Sequence, residues 1–183
     1  MRIRTVEVCP DRRMHWTIGE EPAHCQDSRH VHRQVMVHEH LDQVIFPDGT
    51  PITAASFVPR APYERDQDPD FGLYLDPRWA PPWAHRHLEW PDFGVPDDSG
   101  PSVSALRSTL AVARSGQRVE VGCLGAHGRT GSALACLAIL TGVPAAEAVK
   151  WVRSAYCSGA VETPEQAAFV AGLTIPDGEA TDR

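Results

Sequence analysis

A chain of 183 residues, 42% of them hydrophobic, is long enough for one compact domain with a sizeable core, and its composition excludes wholesale disorder. The formal net charge of -7 argues against a general nucleic-acid binder, because phosphate backbones attract basic surfaces. No apolar run reaches the roughly 20 residues that span a bilayer, and residues 1–7 hold no signal-peptide core. The five cysteines are odd in number and widely spaced, so a cytoplasmic protein without a disulfide scaffold and without a membrane partner is expected.

The first stretch of note is rich in histidine. His24 precedes Cys25, and His30, His32, His38 and His40 form two His-x-His pairs that a strand would turn to one face, as a metal site needs. Val31, Val35 and Val37 give the same stretch an adequate apolar face. It therefore reads as a solvated histidine face, with a metalloprotein as the competing reading and no metal expected. Prolines, charges and short apolar runs then alternate over residues 47–101, with short strands expected at 43–46 and 71–75.

The later half is more regular. Asp98-Ser99-Gly100 before Pro101 reads as a helix start, and Val103, Leu106, Leu110 and Val112 continue an apolar stripe toward Gly116. Val119-Glu120-Val121 reads as a strand, 122–129 as a loop, and the stretch from Thr130 to Gly142 as a helix with a glycine C-cap. Pro144 and Pro164 each open a further helix, through Tyr156 and Phe169. This order of elements predicts an α/β fold.

The loop between strand and helix carries the chemistry. Cys123 and Arg129 bracket Leu124-Gly125-Ala126-His127-Gly128, and Thr130-Gly131 follow. A thiol ionises near pH 8.5 unless its surroundings favour the thiolate. Loop N–H groups, the positive end of the following helix and Arg129 all do so, and the same groups suit the oxygens of a phosphate ester. Arg129 is placed to grip two oxygens at once. Thr130 offers a hydroxyl to the sulfur. Upstream, Trp90-Pro91-Asp92-Phe93-Gly94-Val95-Pro96 reads as a hinged loop that presents Asp92, a candidate proton donor to a leaving oxygen.

These segments resemble the protein tyrosine phosphatase family. Cys123, Gly128, Arg129, Thr130 and Gly131 match its signature loop, and Trp90-Pro91-Asp92 with its Gly-x-Pro tail matches its acid loop, in the family's order. Gly122 stands where the family has histidine, and Ala126 where it has glycine. Glu162, Thr163 and Gln166 resemble the family's water-orienting Gln-Thr-x-x-Gln motif, with Glu162 in place of its first glutamine. Thr163 to Gln166 is also a plain capping box at a helix start.

The resemblance covers residues 71–173 and leaves 1–60 unassigned within a single phosphatase domain spanning 1–183. It implies a central mixed, mostly parallel sheet flanked by helices on both faces, with the site at the strand–helix junction after Val121. It further implies a phosphomonoesterase, a protein tyrosine or dual-specificity phosphatase, that works through a cysteinyl-phosphate. Cys123 would be nucleophile, Arg129 phosphate clamp, Asp92 general acid and Thr130 a donor to the sulfur. Glu162 and Gln166 would serve the hydrolytic water, and 124–129 would cradle the phosphate. No cofactor or metal is implied. The partner is a phosphorylated protein or a small phosphomonoester. A small-molecule phosphatase of the same mechanism and an inactive phosphate-binding module remain alternatives. For the loop that sandwiches a phosphotyrosine ring, 62–66, Trp79 and Trp83 are candidates that also read as ordinary structure.

Overall fold

The computed structural model describes residues 40–57 and 65–174 with their side chains, and the backbone of two strands nearer the N-terminus. Those strands, β1 (Ile3–Val8) and β2 (Arg33–His38), pair antiparallel with Ile3 opposite His38. They form one compact unit, and the chain from His40 onward forms another. His24, Cys25, His30 and His32 lie outside the described residues, as do 62–64 of the ring-sandwich candidates.

The second unit is built on five strands. β3 is Leu41–Ile45, β4 Pro51–Ser56, β5 Phe71–Tyr74, β6 His85–His87 and β7 Val119–Cys123, in the spatial order β3-β4-β7-β5-β6. β3 and β4 are antiparallel, and every other pairing is parallel, as expected of a mixed, mostly parallel sheet. The strands expected at 43–46 and 71–75 are present as β3 and β5. β4 went unread because Pro51 and its two alanines carry little strand propensity. It is a strand by position, wedged between β3 and β7 with Ala54 and Ala55 fully buried.

Four helices follow: α1 (Ser99–Arg114), α2 (Gly128–Leu140), α3 (Ala145–Ala155) and α4 (Pro164–Ala171). α1 begins two residues before Pro101 because the Asp98 carboxylate accepts the Gly100 N–H at 2.8 Å and caps it. α2 begins two residues before Thr130, and β7 runs on to Cys123, so the loop itself is only 124–127. α1 and α2 touch each other and both pack on β7, joining Val119, Val121 and Cys123 to one core with Leu106, Leu110, Leu134 and Leu137.

The opposite face of β7 meets a layer of aromatic and ionic side chains. Glu120, 1% exposed, accepts from Arg65 Nε and Nη2 at 2.7 and 3.0 Å and from the Tyr74 hydroxyl at 3.0 Å. Phe57 stacks on Trp79 with centroids 3.4 Å apart, and Trp83 donates its indole N–H to Tyr74. Among the described residues, Arg65, Trp79 and Trp83 thus belong to this layer. Burial on both faces makes β7 the central strand of the unit. No helix among the described residues is long and apolar enough to cross a membrane.

Candidate active site

β7 delivers Cys123 to the edge of the core, and α2 starts five residues later with Arg129 and Thr130 in its first turn. The Thr130 hydroxyl lies 3.0 Å from the Cys123 sulfur, where it donates. The positive end of α2, buried along all but its last residue, lies at the same place. Cys136, by contrast, is sealed inside α2, and burial pushes its thiol up to about 12.

Arg129 is 5% exposed and held from behind. Its Nη1 donates to the Leu75 carbonyl at 3.0 Å, and Nη2 lies 3.2 Å from Asp76 and 3.2 Å from Asp92. Asp76 was missed in the sequence. It follows the buried run of β5, and a carboxylate at the C-terminal end of a parallel strand is a site signal that could have found it. Burial alone would raise the Asp76 carboxyl, but hydrogen bonds from Arg78 and the charge of Arg129 outweigh it and hold it down at about 2.

This carboxyl titrates lower in the fold than in the unfolded chain, where Asp ionises near 3.9. Its ion pairs therefore stabilise fully above that value, and their contribution disappears as pH falls toward 2. The shift corresponds to about 2 kcal/mol. Unfolding followed from pH 6 to 2 will show Asp76→Asn less stable than wild type at pH 6, with the difference closing across the acid range. Parallel curves would show that the carboxylate does not anchor Arg129.

The acid loop is closed over the site. Trp90 is 3% exposed, packs on Phe169 and donates its indole N–H to the Gly94 carbonyl at 3.0 Å. Asp92 stays at the tip, its side chain 59% exposed. Phe93 beside it takes a left-handed φ of 57° and exposes its ring. Gln166 ties this loop to the next: Nε2 reaches the Gly94 carbonyl at 3.3 Å, while Oε1 accepts the N–H groups of Glu162 and Thr163. The capping box is thus present, and the same amide joins the two loops.

Glu162 reaches the start of α2, where its carboxylate accepts the Gly128 N–H. A Cβ at Gly128 would collide with that carboxylate, so the glycine is what lets the two meet. Desolvation raises the Glu162 carboxyl and nearby Asp92 pushes the same way, against the Gly128 N–H and Arg129.

The two departures in the loop have physical explanations. A Cβ at Gly122 would sit 2.8 Å from the Ala55 carbonyl and 2.9 Å from the Phe57 ring, which leaves no room for a larger side chain. Ala126 adopts the left-handed φ of 58° that a glycine would take at less cost, a penalty of roughly 1–2 kcal/mol. Its carbonyl is pinned by the Tyr156 hydroxyl at 2.8 Å. His127 caps α2 through its backbone, its carbonyl accepting the N–H groups of Gly131 and Val161. Its ring turns to His40, with Nε2 atoms 3.1 Å apart. Tyr156 went unread and His40 was read only with the histidine pairs, because neither is near the loop in sequence.

No family profile matches the chain. It is 36% identical over 111 residues to the uncharacterized protein MJECL20 of Methanocaldococcus jannaschii, covering 54% of this chain and 71% of that one. A second uncharacterized protein of the same organism, MJ0215, is 33% identical over 111 residues, covering 54% and 66%. Among solved structures, Tk-PTP in its active form superposes with a TM-score of 0.57 at 26% identity, over 68% of this chain and 91% of that one. The kinase associated phosphatase, with its catalytic-site cysteine replaced by serine, superposes with a TM-score of 0.59 over 73% and 92%; at 12% identity this speaks for the fold alone.

Proposed function

The chain belongs to the protein tyrosine phosphatase-like family, and on that footing we propose that it hydrolyses phosphomonoesters through a cysteinyl-phosphate, with aryl phosphates such as phosphotyrosine as its preferred class. The observation that carries this reading is the meeting of Asp92 and Arg129 at 3.2 Å beside a sulfur that already has a hydroxyl donor. A pure phosphate binder needs neither the thiol nor the acid. The exposed Phe93 ring next to Asp92 supports an aromatic leaving group.

In the first step the Cys123 thiolate attacks phosphorus, the bond to the ester oxygen breaks, and Asp92 gives that oxygen a proton. Leu75 and Asp76 hold the terminal nitrogens of Arg129, so its Nε–Nη2 edge is left for two phosphoryl oxygens, which displace the Asp92 contact. The N–H groups of 124–129 hold the oxygens while charge moves, and the phosphate displaces the Glu162 carboxylate from the Gly128 N–H. In the second step water attacks phosphorus, Asp92 takes its proton, and the sulfur leaves as a thiolate stabilised by the Thr130 hydroxyl. Gln166 keeps the acid loop over the water, and Glu162 is the second carboxylate within reach. No step requires a metal.

Initial rates with phosphotyrosine, phosphoserine and sugar phosphates, in the presence of chelator, test the reading. The expected result is vanadate-sensitive hydrolysis strongest for the aryl ester. Asp92→Asn will cost roughly 10²–10⁴-fold on an ester with a basic leaving group, and much less on an activated one. It will also remove the alkaline limb of the pH–rate profile. Loss of the Asp92 charge lowers the Glu162 pKa, because that charge is among the things that raise it. An alkaline limb that survives at lower pH would therefore assign the proton to Glu162. Equal losses on both esters would make Asp92 a loop residue only.

A further inference from the structure

Behind the phosphate loop stands a group of side chains that the reaction above does not use. A ring nitrogen of His40, a ring nitrogen of His127 and the Sγ of Cys157 all lie within 4.8 Å of one another. His40 is buried just before β3, His127 belongs to the loop itself, and Cys157 follows α3. We propose that these three residues form a binding site for a divalent transition-metal ion of the zinc class, which staples the phosphate loop to β3 and to the segment after α3.

Three features fit this donor set. The two imidazole nitrogens are 3.1 Å apart, and two nitrogens held tetrahedrally at about 2.0–2.1 Å from one ion stand about 3.3 Å apart. The second feature is the Asp42 carboxylate, 2.6 Å from His40 Nδ1. It keeps the proton on that nitrogen and turns the Nε2 lone pair toward the group, as the carboxylate behind a metal-binding histidine does. The third is the room around His127. Its ring lies over Gly159, where a Cβ would come within 3.3 Å of Cδ2 and 3.8 Å of the Cys157 sulfur. Two imidazoles and a thiolate select zinc-like ions over magnesium or calcium, which prefer oxygen. At 3.1 Å the facing nitrogens share one proton, and the ion takes its place. On binding, that proton moves to Nδ1 of the His127 ring, so the ion meets two neutral imidazoles; only the thiol proton is released, and a fourth position remains for water or a solute anion.

The site differs from the histidine pairs noted in the sequence, since it joins His40 to a residue of the loop. Its role is to stiffen the loop, and hydrolysis does not pass through it.

Cobalt(II) titration of the chelator-stripped full chain tests this. The expected result is one ion per chain with a sulfur-to-cobalt charge-transfer band, displaced by zinc. The band is kept in Cys123→Ser and lost in Cys157→Ser. Asp42→Asn should weaken binding roughly 10–100-fold. Zinc at about 100 times its Kd should raise Tm by roughly 5 °C or more in the wild type and not in Cys157→Ser. Absence of the band from the wild type, its persistence in Cys157→Ser, or its loss in Cys123→Ser would overturn the proposal.

Discussion

Cys123→Ser will lower turnover of para-nitrophenyl phosphate roughly 10⁴-fold or more while leaving the phosphate site able to bind. A hydroxyl fits the place of the thiol at the end of β7, and the cradle of 124–129 with Arg129 behind it is unchanged. What is lost is the nucleophile, because a serine hydroxyl ionises far less readily than a thiol. Cys136 cannot take over, since it is buried in α2 with its thiol pushed up to about 12. Steady-state rates paired with equilibrium binding of phosphate or vanadate check this. A variant at the wild-type rate would move the chemistry away from Cys123. One that loses rate and binding together would reduce the cysteine to a shaping role in the loop.

Arg129→Lys will lower kcat/KM roughly 10²–10³-fold, the scale of losing a preorganised donor to developing charge. The guanidinium answers to three partners at once: the Leu75 carbonyl, Asp76 and Asp92. Its planar fork does this and still offers an edge to two phosphoryl oxygens, which a single ammonium cannot match. The loss should fall on kcat as well as KM, because the grip tightens as charge builds on the phosphoryl group. A loss of only a few-fold would show that a point charge suffices and that Arg129 is not a clamp.

Much of the site was legible locally. The strand–loop–helix run from Val119 to Leu140 is contiguous, and each part carries its own signal: an apolar strand, two glycines in a loop, a helix stripe. The order of the acid loop before the cysteine loop came from the same kind of reading, as did the caps at Asp98 and Thr163. Element ends shifted by about two residues where hydrogen bonds, invisible in the chain, extended β7 and started α2 early.

The elements of the later half, and the side chains Cys123, Arg129 and Asp92 as candidates for the chemistry, could be read from the chain alone, because local periodicity and side-chain type require no partner. What surrounds them is set by long-range packing. β4 is a strand because it pairs on both sides, and not because Pro51 or its alanines favour one. Gly122 is small because Ala55 and Phe57 press on it, and Ala126 tolerates its left-handed backbone while Tyr156 pins its carbonyl. Asp76 anchors Arg129 across 53 residues of chain, and His40 meets His127 across 87. Contacts at such separations are chosen by packing of the whole sheet, which no short window of the chain contains.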